Sequence, residues 1–131
     1  MTAPLILDAS ALLAIAKGEP GSDSVYALLR QSSGNMFIHA INAFEVSYKL
    51  MLWGFSEDAA WELAGMGGAI KVDDAGDYVG RRAARLKVTS PYLSLGDCFC
   101  IALAEDMEGR VLTSDGDFAK VQTSAEVILL R

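Results

Sequence analysis

Residues 95–117, LGDCFCIALAEDMEGRVLTSDGD, carry the organisation of this chain in miniature. An apolar-rich helix is predicted over 95–108, with Gly109 at its C′ position and a short apolar strand over 110–114. An acid stands at each functional corner of this stretch: Asp97 opens the helix and Asp115 follows the strand. Helix, glycine stop, buried strand and acid form the unit of a layered α/β fold, in which ligands collect beyond the carboxyl ends of parallel strands.

The same grammar runs through the rest of the chain. PLILD (4–8) reads as a buried strand closed by Asp8, and ASALLAIAK (9–17) as a helix stopped by GEPG (18–21). A second helix is expected over 22–32, with Val25, Leu28 and Leu29 on one face, then a strand at NMFIHA (35–40). INAFEVSYKLMLW (41–53) is predicted helical, with Ile41, Phe44, Tyr48, Met51 and Leu52 forming its buried stripe. Gly54 ends it, and Ser56 opens a helix with Glu57 and Asp58 in its first turn, running down at Gly65, Gly67 and Gly68. AIKV (69–72) is a third strand and 74–88 a helix with Arg81, Arg82, Arg85 and Lys87 toward its end. SPYLSL (90–95) is a loop, 115–120 a short helical turn, and EVILL (126–130) the last strand. The expectation is one α/β domain over 1–131, with a mainly parallel central sheet of four to five strands flanked by helices.

Composition narrows the function classes. The chain has 131 residues, 52% hydrophobic and 21% charged, which suits a packed core and excludes a disordered or low-complexity chain. No apolar run reaches the length of a membrane span, and the start, MTAPLILDAS, has no basic leading region, so no signal peptide is expected. Cys98 and Cys100, two apart, make no disulfide framework, and with the lone His39 they make no zinc pattern. A cytoplasmic setting is expected. Eleven basic against 17 acidic residues give a net charge of −6, which writes no basic glove for nucleic acid but suits a cluster of carboxylates around a cation.

Four acids sit where the local pattern would take an apolar or small residue: Asp8, Glu45, Asp97 and Asp115. Each has a structural explanation when taken alone. Asp8 can cap a helix, Asp97 fits a capping box with Ser94, and Asp115 and Asp117 suit a turn. Glu45 is the hardest to explain so, because a mid-helix Glu gains nothing from capping. Their joint placement points further, since all four can project to one edge of the sheet. Converging carboxylates repel unless divalent cations lie between them, and oxygen-only ligands suit Mg2+ or Mn2+.

Taken together, LDASALLAI, NAFEVSYKL, YLSLGDCFCIALA and VLTSDGDF resemble the PIN-domain ribonucleases, in particular the VapC toxins of bacterial toxin–antitoxin pairs. The resemblance follows the order and spacing of nearly the whole chain, and its Glu45 segment is the weakest part. It implies a Mg2+-dependent (or Mn2+-dependent) endoribonuclease with Asp8, Glu45, Asp97 and Asp115 as catalytic, metal-holding acids. Ser10 and Thr113 match supporting hydroxyls, and Asp117 an additional acid. The implied partners are an RNA substrate and a cognate antitoxin. Exposed apolar surface around Leu12, Leu13 and Trp53 would take the antitoxin tail. Self-association into a homodimer is a further expectation, and a membrane is not.

With a single His, no acid–base pair exists for cleavage through the 2′-hydroxyl, so metal-assisted hydrolysis is the simpler route. Arg81, Arg82 and Arg85 are candidate RNA contacts, with a solvated helix end as the equally fitting reading. Tyr92, Trp53 and Trp61 could stack on bases, although packing suits both tryptophans better. Two readings from other classes compete. A phosphoacceptor receiver domain would want an acidic pair after the first strand, where Asp8 is followed by Ala9, although Asp73–Asp74 follows the third strand. A noncatalytic binding module with a degenerate site sits poorly with a complete set of acids.

Overall fold

The computed structural model describes residues 2–65 and 68–130. Five strands, β1 (Leu5–Leu7), β2 (Met36–His39), β3 (Ile70–Val72), β4 (Arg110–Thr113) and β5 (Glu126–Leu129), form one sheet in the order β3-β2-β1-β4-β5. Every pairing is parallel, with Ile6 beside both Phe37 and Val111. Parallel neighbours require crossovers. These are supplied by α1 (Ala9–Ala16) and α2 (Ser22–Gln31), α3 (Ala40–Leu52) and α4 (Glu57–Ala64), and α5 (Asp77–Thr89) and α6 (Leu95–Asp106). A 3-10 turn at Gly116–Lys120 links β4 to β5. Gly67, one of the glycines expected to end α4, lies outside the described residues; α4 itself stops at Gly65.

The continuous apolar run of β1 is explained by burial on both faces. Leu5 and Leu7 point to one face, with Met36, Ile38 and Leu112, against α1 to α4. Ile6 and Val111 point to the other, with Val79 and Leu86 of α5, Ile101 and Leu103 of α6, and Phe118. Cys98 and Cys100 are fully buried in this second core and unpaired, as small apolar fillers are. No helix among the described residues is long and apolar enough to cross a membrane.

Three expectations are corrected. The stripe Ile41, Phe44, Tyr48, Met51 and Leu52 is the outward face of α3; the inward face is Ala43, Val46, Ser47 and Leu50, with Asn42 beside it. Both sets repeat at helical spacing, so period alone cannot choose between them. The smaller set lets α3 lie close on the sheet, and the larger side chains are left outside, where Phe44 stacks on Trp61 at 5.6 Å. Second, Leu12 and Leu13 are core residues rather than exposed ones. Third, the end of α6 is a Schellman turn whose left-handed residue is Glu108 (φ 52°), not Gly109. The Gly109 N–H reaches the Ala104 carbonyl at 2.8 Å. Gly109 is needed for space instead: a Cβ there would stand 2.8 Å from the Pro4 carbonyl oxygen.

Candidate active site

The sheet order reverses at β1: chain connections run outward to β2 and β3 on one side and to β4 and β5 on the other. The carboxyl edge of β1, β2 and β4 is therefore where the ligand crevice of such a sheet is expected; Asp8 follows β1, Asp115 lies just beyond β4, and Glu45 comes from the helix after β2. Asp8 leaves β1 in an extended conformation and caps α1. It is buried, and its Oδ2 accepts hydrogen bonds from Ser10 Oγ at 2.5 Å, Thr113 Oγ1 at 2.9 Å and Ser10 N at 3.3 Å. Burial pushes its carboxyl up to about 6, and Asp97 adds to the rise, against the lowering effect of the two hydroxyls. Ser10 and Thr113, 103 residues apart, are thus both spent on one carboxylate oxygen.

Thr113 also ties in the fourth acid, because its Oγ1 accepts the Asp115 N–H at 3.0 Å. Ser10 Oγ likewise accepts the Ser114 N–H at 3.1 Å. Asp115 then caps the 3-10 turn, its Oδ1 accepting the Asp117 N–H at 2.9 Å. Asp117 itself pairs with Lys120 at 2.9 Å in an exposed contact.

Asp97 makes the capping box expected of it. Its carboxylate accepts the Ser94 N–H at 2.9 Å while Ser94 Oγ accepts the Asp97 N–H at 3.1 Å. That structural duty coexists with an electrostatic one. Its carboxyl is raised first by burial and further by the charges of Asp115 and Glu45, against the two Ser94 hydrogen bonds. Asp97 links the set: its charge raises Asp8, and it is raised in turn by Asp115 and Glu45.

Glu45 reaches the crevice from the second turn of α3. Its Oε1 faces Gly96, where an added Cβ would come within 3.2 Å. Its Oε2 holds Lys49 Nζ at 2.9 Å. Lys49, an isolated charge in the sequence reading, is a cation of this site: the Glu45 hydrogen bond and, further off, Asp8 hold its ammonium in the charged form, and the i,i+4 spacing from Glu45 was the available signal. Asn42 was missed as well. It is fully buried, and it bridges three elements through Oδ1, which accepts the Ala9 N–H at 3.2 Å, and Nδ2, which donates to the Gly96 carbonyl at 3.0 Å. An amide one turn before Glu45 in an apolar helix was the available signal.

The donor chemistry fits a hard divalent cation: all oxygen, two carboxyls held up by burial and mutual repulsion, and hydroxyls orienting one of them. The acids are not gathered into a finished cage, for among the described residues no three His, Cys, Asp or Glu side chains close around one point. Glu45 is engaged by Lys49 instead.

Other residues singled out by sequence fall elsewhere. Arg82 makes a two-pronged contact to Glu105 (2.7 and 3.0 Å), which also accepts from Thr123 Oγ1 at 2.6 Å, so the guanidinium is tied into the fold. The Arg82 bonds hold the Glu105 carboxyl below its usual range despite burial, which opposes them. Arg81 stays exposed, 4.0 Å from Asp77. Arg85 is also exposed. His39 caps α3 through Nδ1, which accepts the Ile41 N–H, so its Nε2 carries the proton and donates to the Asp74 carbonyl at 2.7 Å; its ring stacks on Phe99. Asp73 and Asp74 follow the edge strand β3, away from the reversal point, and the Asp74 carboxylate accepts the Gly76 N–H. Trp53 and Trp61 are half-exposed beneath Lys17 and Lys71 respectively.

Comparison with known proteins bears on the fold. The family model for the PIN domain matches residues 5–123. Several solved structures share the fold. VapBC2 from Rickettsia felis bound to a promoter DNA fragment matches with a TM-score of 0.70 at 15% identity, over 97% of this chain and 98% of that one. A toxin–antitoxin complex from Klebsiella pneumoniae matches with a TM-score of 0.68 at 17% identity, over 93% and 98%. DNA-bound VapBC from Salmonella typhimurium matches with a TM-score of 0.71 at 12% identity, over the full length of both chains. No curated protein matches by sequence.

Proposed function

The chain belongs to the PIN domain family, and from that premise we propose that it is a metal-dependent endoribonuclease acting as the toxin of a toxin–antitoxin pair. The observation that supports the reading is the pairwise coupling of the acids near the reversal point of the sheet, Asp8 with Asp97 and Asp97 with Asp115 and Glu45, although they do not close around one point. A buried carboxylate beside like charges is costly, and a divalent cation relieves that cost.

Asp8, Asp97 and Asp115 would hold Mg2+ or Mn2+, and Glu45 joins them on release from Lys49. The chemistry a bound ion supplies is charge neutralisation at the scissile phosphate and a more acidic water. Ser10 and Thr113 keep Asp8 aimed. Lys49 balances the acids and, once freed from Glu45, offers its ammonium to a phosphate oxygen. His39 takes no part, being committed at both ring nitrogens. The products are a 5′-phosphate and a 3′-hydroxyl.

The outward face of α3 and α4, with Phe44, Tyr48, Met51, Leu52 and Trp61, is a contiguous apolar surface of the kind that seats a partner. A toxin–antitoxin relative among the structural neighbours supports assigning it to an antitoxin tail. An Arg or Lys of that tail, entering the acid crevice, would occupy the place of the metal.

The test is RNA cleavage by the purified chain with Mg2+ and with EDTA, alongside Asp97→Asn and the co-expressed product of the neighbouring gene. Asp97→Asn is expected to fold, at a cost of about 0.5–2 kcal/mol for the weakened cap, and to be inactive. Full activity in folded Asp97→Asn overturns the acid centre. A neighbour that neither binds nor inhibits overturns the toxin assignment and leaves a free-standing nuclease.

A further inference from the structure

A polar cleft of about 590 Å3 lies between the end of α5, the loop 90–94 and the 3-10 turn. Its two walls grow out of two of the site acids. Tyr92 stands two residues before Ser94, whose side chain is locked to Asp97. Lys120 stands at the end of the turn that Asp115 caps, and its ammonium is within the field of Asp115. Asp97 and Asp115 in turn feel each other. The cleft is therefore tied to the acids through the short loop from Tyr92 to Ser94 and through Lys120, whose partner Asp117 donates its N–H to Asp115.

Tyr92 is presented in an unusual way. The residues on both sides of it are pinned: Lys87 Nζ donates to the Pro91 carbonyl at 3.0 Å and to the Leu93 carbonyl at 2.6 Å. The Leu93 N–H closes a turn on the Ser90 carbonyl at 3.0 Å, and the Leu93 side chain is buried. Tyr92 between them is nonetheless 48% exposed. A rigid backbone holding an aromatic ring out to solvent is a preorganised stacking surface. Lys120 Nζ lies over that ring at 5.8 Å, near the outer limit of a cation–π contact, with Asp117 as its other partner. Neither contact buries the ammonium, so it can exchange both for a phosphate. Across the cleft, Arg82 reaches the Gln122 carbonyl at 3.4 Å from its anchorage on Glu105, which stiffens the far wall.

We propose that this cleft is a nucleotide subsite for single-stranded RNA, in which Tyr92 stacks on an unpaired base next to the scissile phosphate and Lys120 pairs with the adjoining phosphate. Its size falls in the range of small-ligand sites, and its chemistry, one open aromatic face and one mobile cation, is that of single-strand recognition. The subsite rests on the ribonuclease reading above and adds to it a stated substrate form.

The test uses the full-length Asp8→Asn chain, so that bound RNA is not cut, and a short fluorescein-labelled single-stranded RNA of mixed sequence in Mg2+. Fluorescence anisotropy is read over a range of salt. Tyr92→Ala is expected to weaken binding roughly 5- to 150-fold, the range for loss of one stacked base, and Tyr92→Phe to retain it. Lys120→Ala is expected to lower the slope of log affinity against log salt by about 0.7, one phosphate on a single strand. Unchanged thermal unfolding of each variant separates these effects from misfolding. If the Asp8→Asn chain binds RNA while Tyr92→Ala and Lys120→Ala leave affinity and salt slope untouched, the subsite is overturned and the nuclease reading stands. If wild type neither binds nor cuts RNA, both fall. Loss of antitoxin binding with RNA binding intact likewise overturns the subsite, making the cleft a protein contact.

Discussion

On the proposed reading Asp8 stands where function and stability conflict, and Asp8→Asn separates the two. The carboxyl is shifted from 3.8 to about 6 by burial and by Asp97. In the folded chain Asp8 therefore binds its proton more tightly than in the unfolded chain. Between pH about 4 and 6 the native state holds more protons, so stability falls as pH rises through that window and the full cost is reached above it. A shift of roughly two units corresponds to about 3 kcal/mol at neutral pH in the absence of metal. Asparagine removes the charge while its oxygen still accepts from Ser10 and Thr113. The amide that replaces the second carboxylate oxygen brings donors of its own, and any left unpaired subtracts from the gain. The expected result is an Asp8→Asn protein about 1–3 kcal/mol more stable than wild type at pH 7 in EDTA. The advantage should vanish near pH 4, and RNA cleavage should be lost throughout. Urea unfolding of both proteins across pH 4–7.5 in EDTA reads this directly. An Asp8→Asn chain less stable than wild type at pH 7, or a difference that does not change with pH, refutes the claim that Asp8 is a strained carboxylate.

His39→Ala is expected to lose about 1–3 kcal/mol through its two ring hydrogen bonds and the Phe99 stack, while the folded fraction keeps full Mg2+-dependent activity; loss of activity per folded molecule would return His39 to the chemistry. Arg82→Ala leaves Glu105 buried without its cation and is expected to cost about 2–4 kcal/mol, measurable as a lower urea midpoint. A collapse in RNA affinity without a loss of stability would make Arg82 an RNA contact instead. Phe44→Glu, on the outward face of α3, should fold, losing about 0.5–1.5 kcal/mol with the Trp61 stack, and fail to co-purify with the proposed antitoxin, while retaining nuclease activity. Normal co-purification would move the partner surface elsewhere.

Much of the fold was legible because its signals are short-range. LIL followed by Asp8, the GEPG break, Ser56 before Glu57 and Ser94 before Asp97 all act within a few residues, through burial on two faces, backbone conformation or a cap hydrogen bond. The separation of strands by helices then dictates parallel pairing, because parallel neighbours need crossovers. The acids after β1 and β4 were visible for the same reason: a residue at a strand end must point out of the carboxyl edge.

Other features needed the folded chain. The two faces of α3 have the same period, and only the close approach of Ala43, Val46 and Ser47 to the sheet decides that Phe44 and Tyr48 look outward. Leu12 and Leu13 are inside because α2 and α3 cover them, which no local pattern states. Arg82 finds Glu105, and Asn42 ties α3 to α1 and α6, through contacts spanning up to 54 residues. The sequence alone determined which elements form and which side chains can carry charge at the crevice, since caps, breaks and strand ends are local chemistry. Which of those charges meet, and which are consumed elsewhere in the fold, was decided only by packing, because a long polar side chain takes whatever partner the assembled helices bring within hydrogen-bond reach.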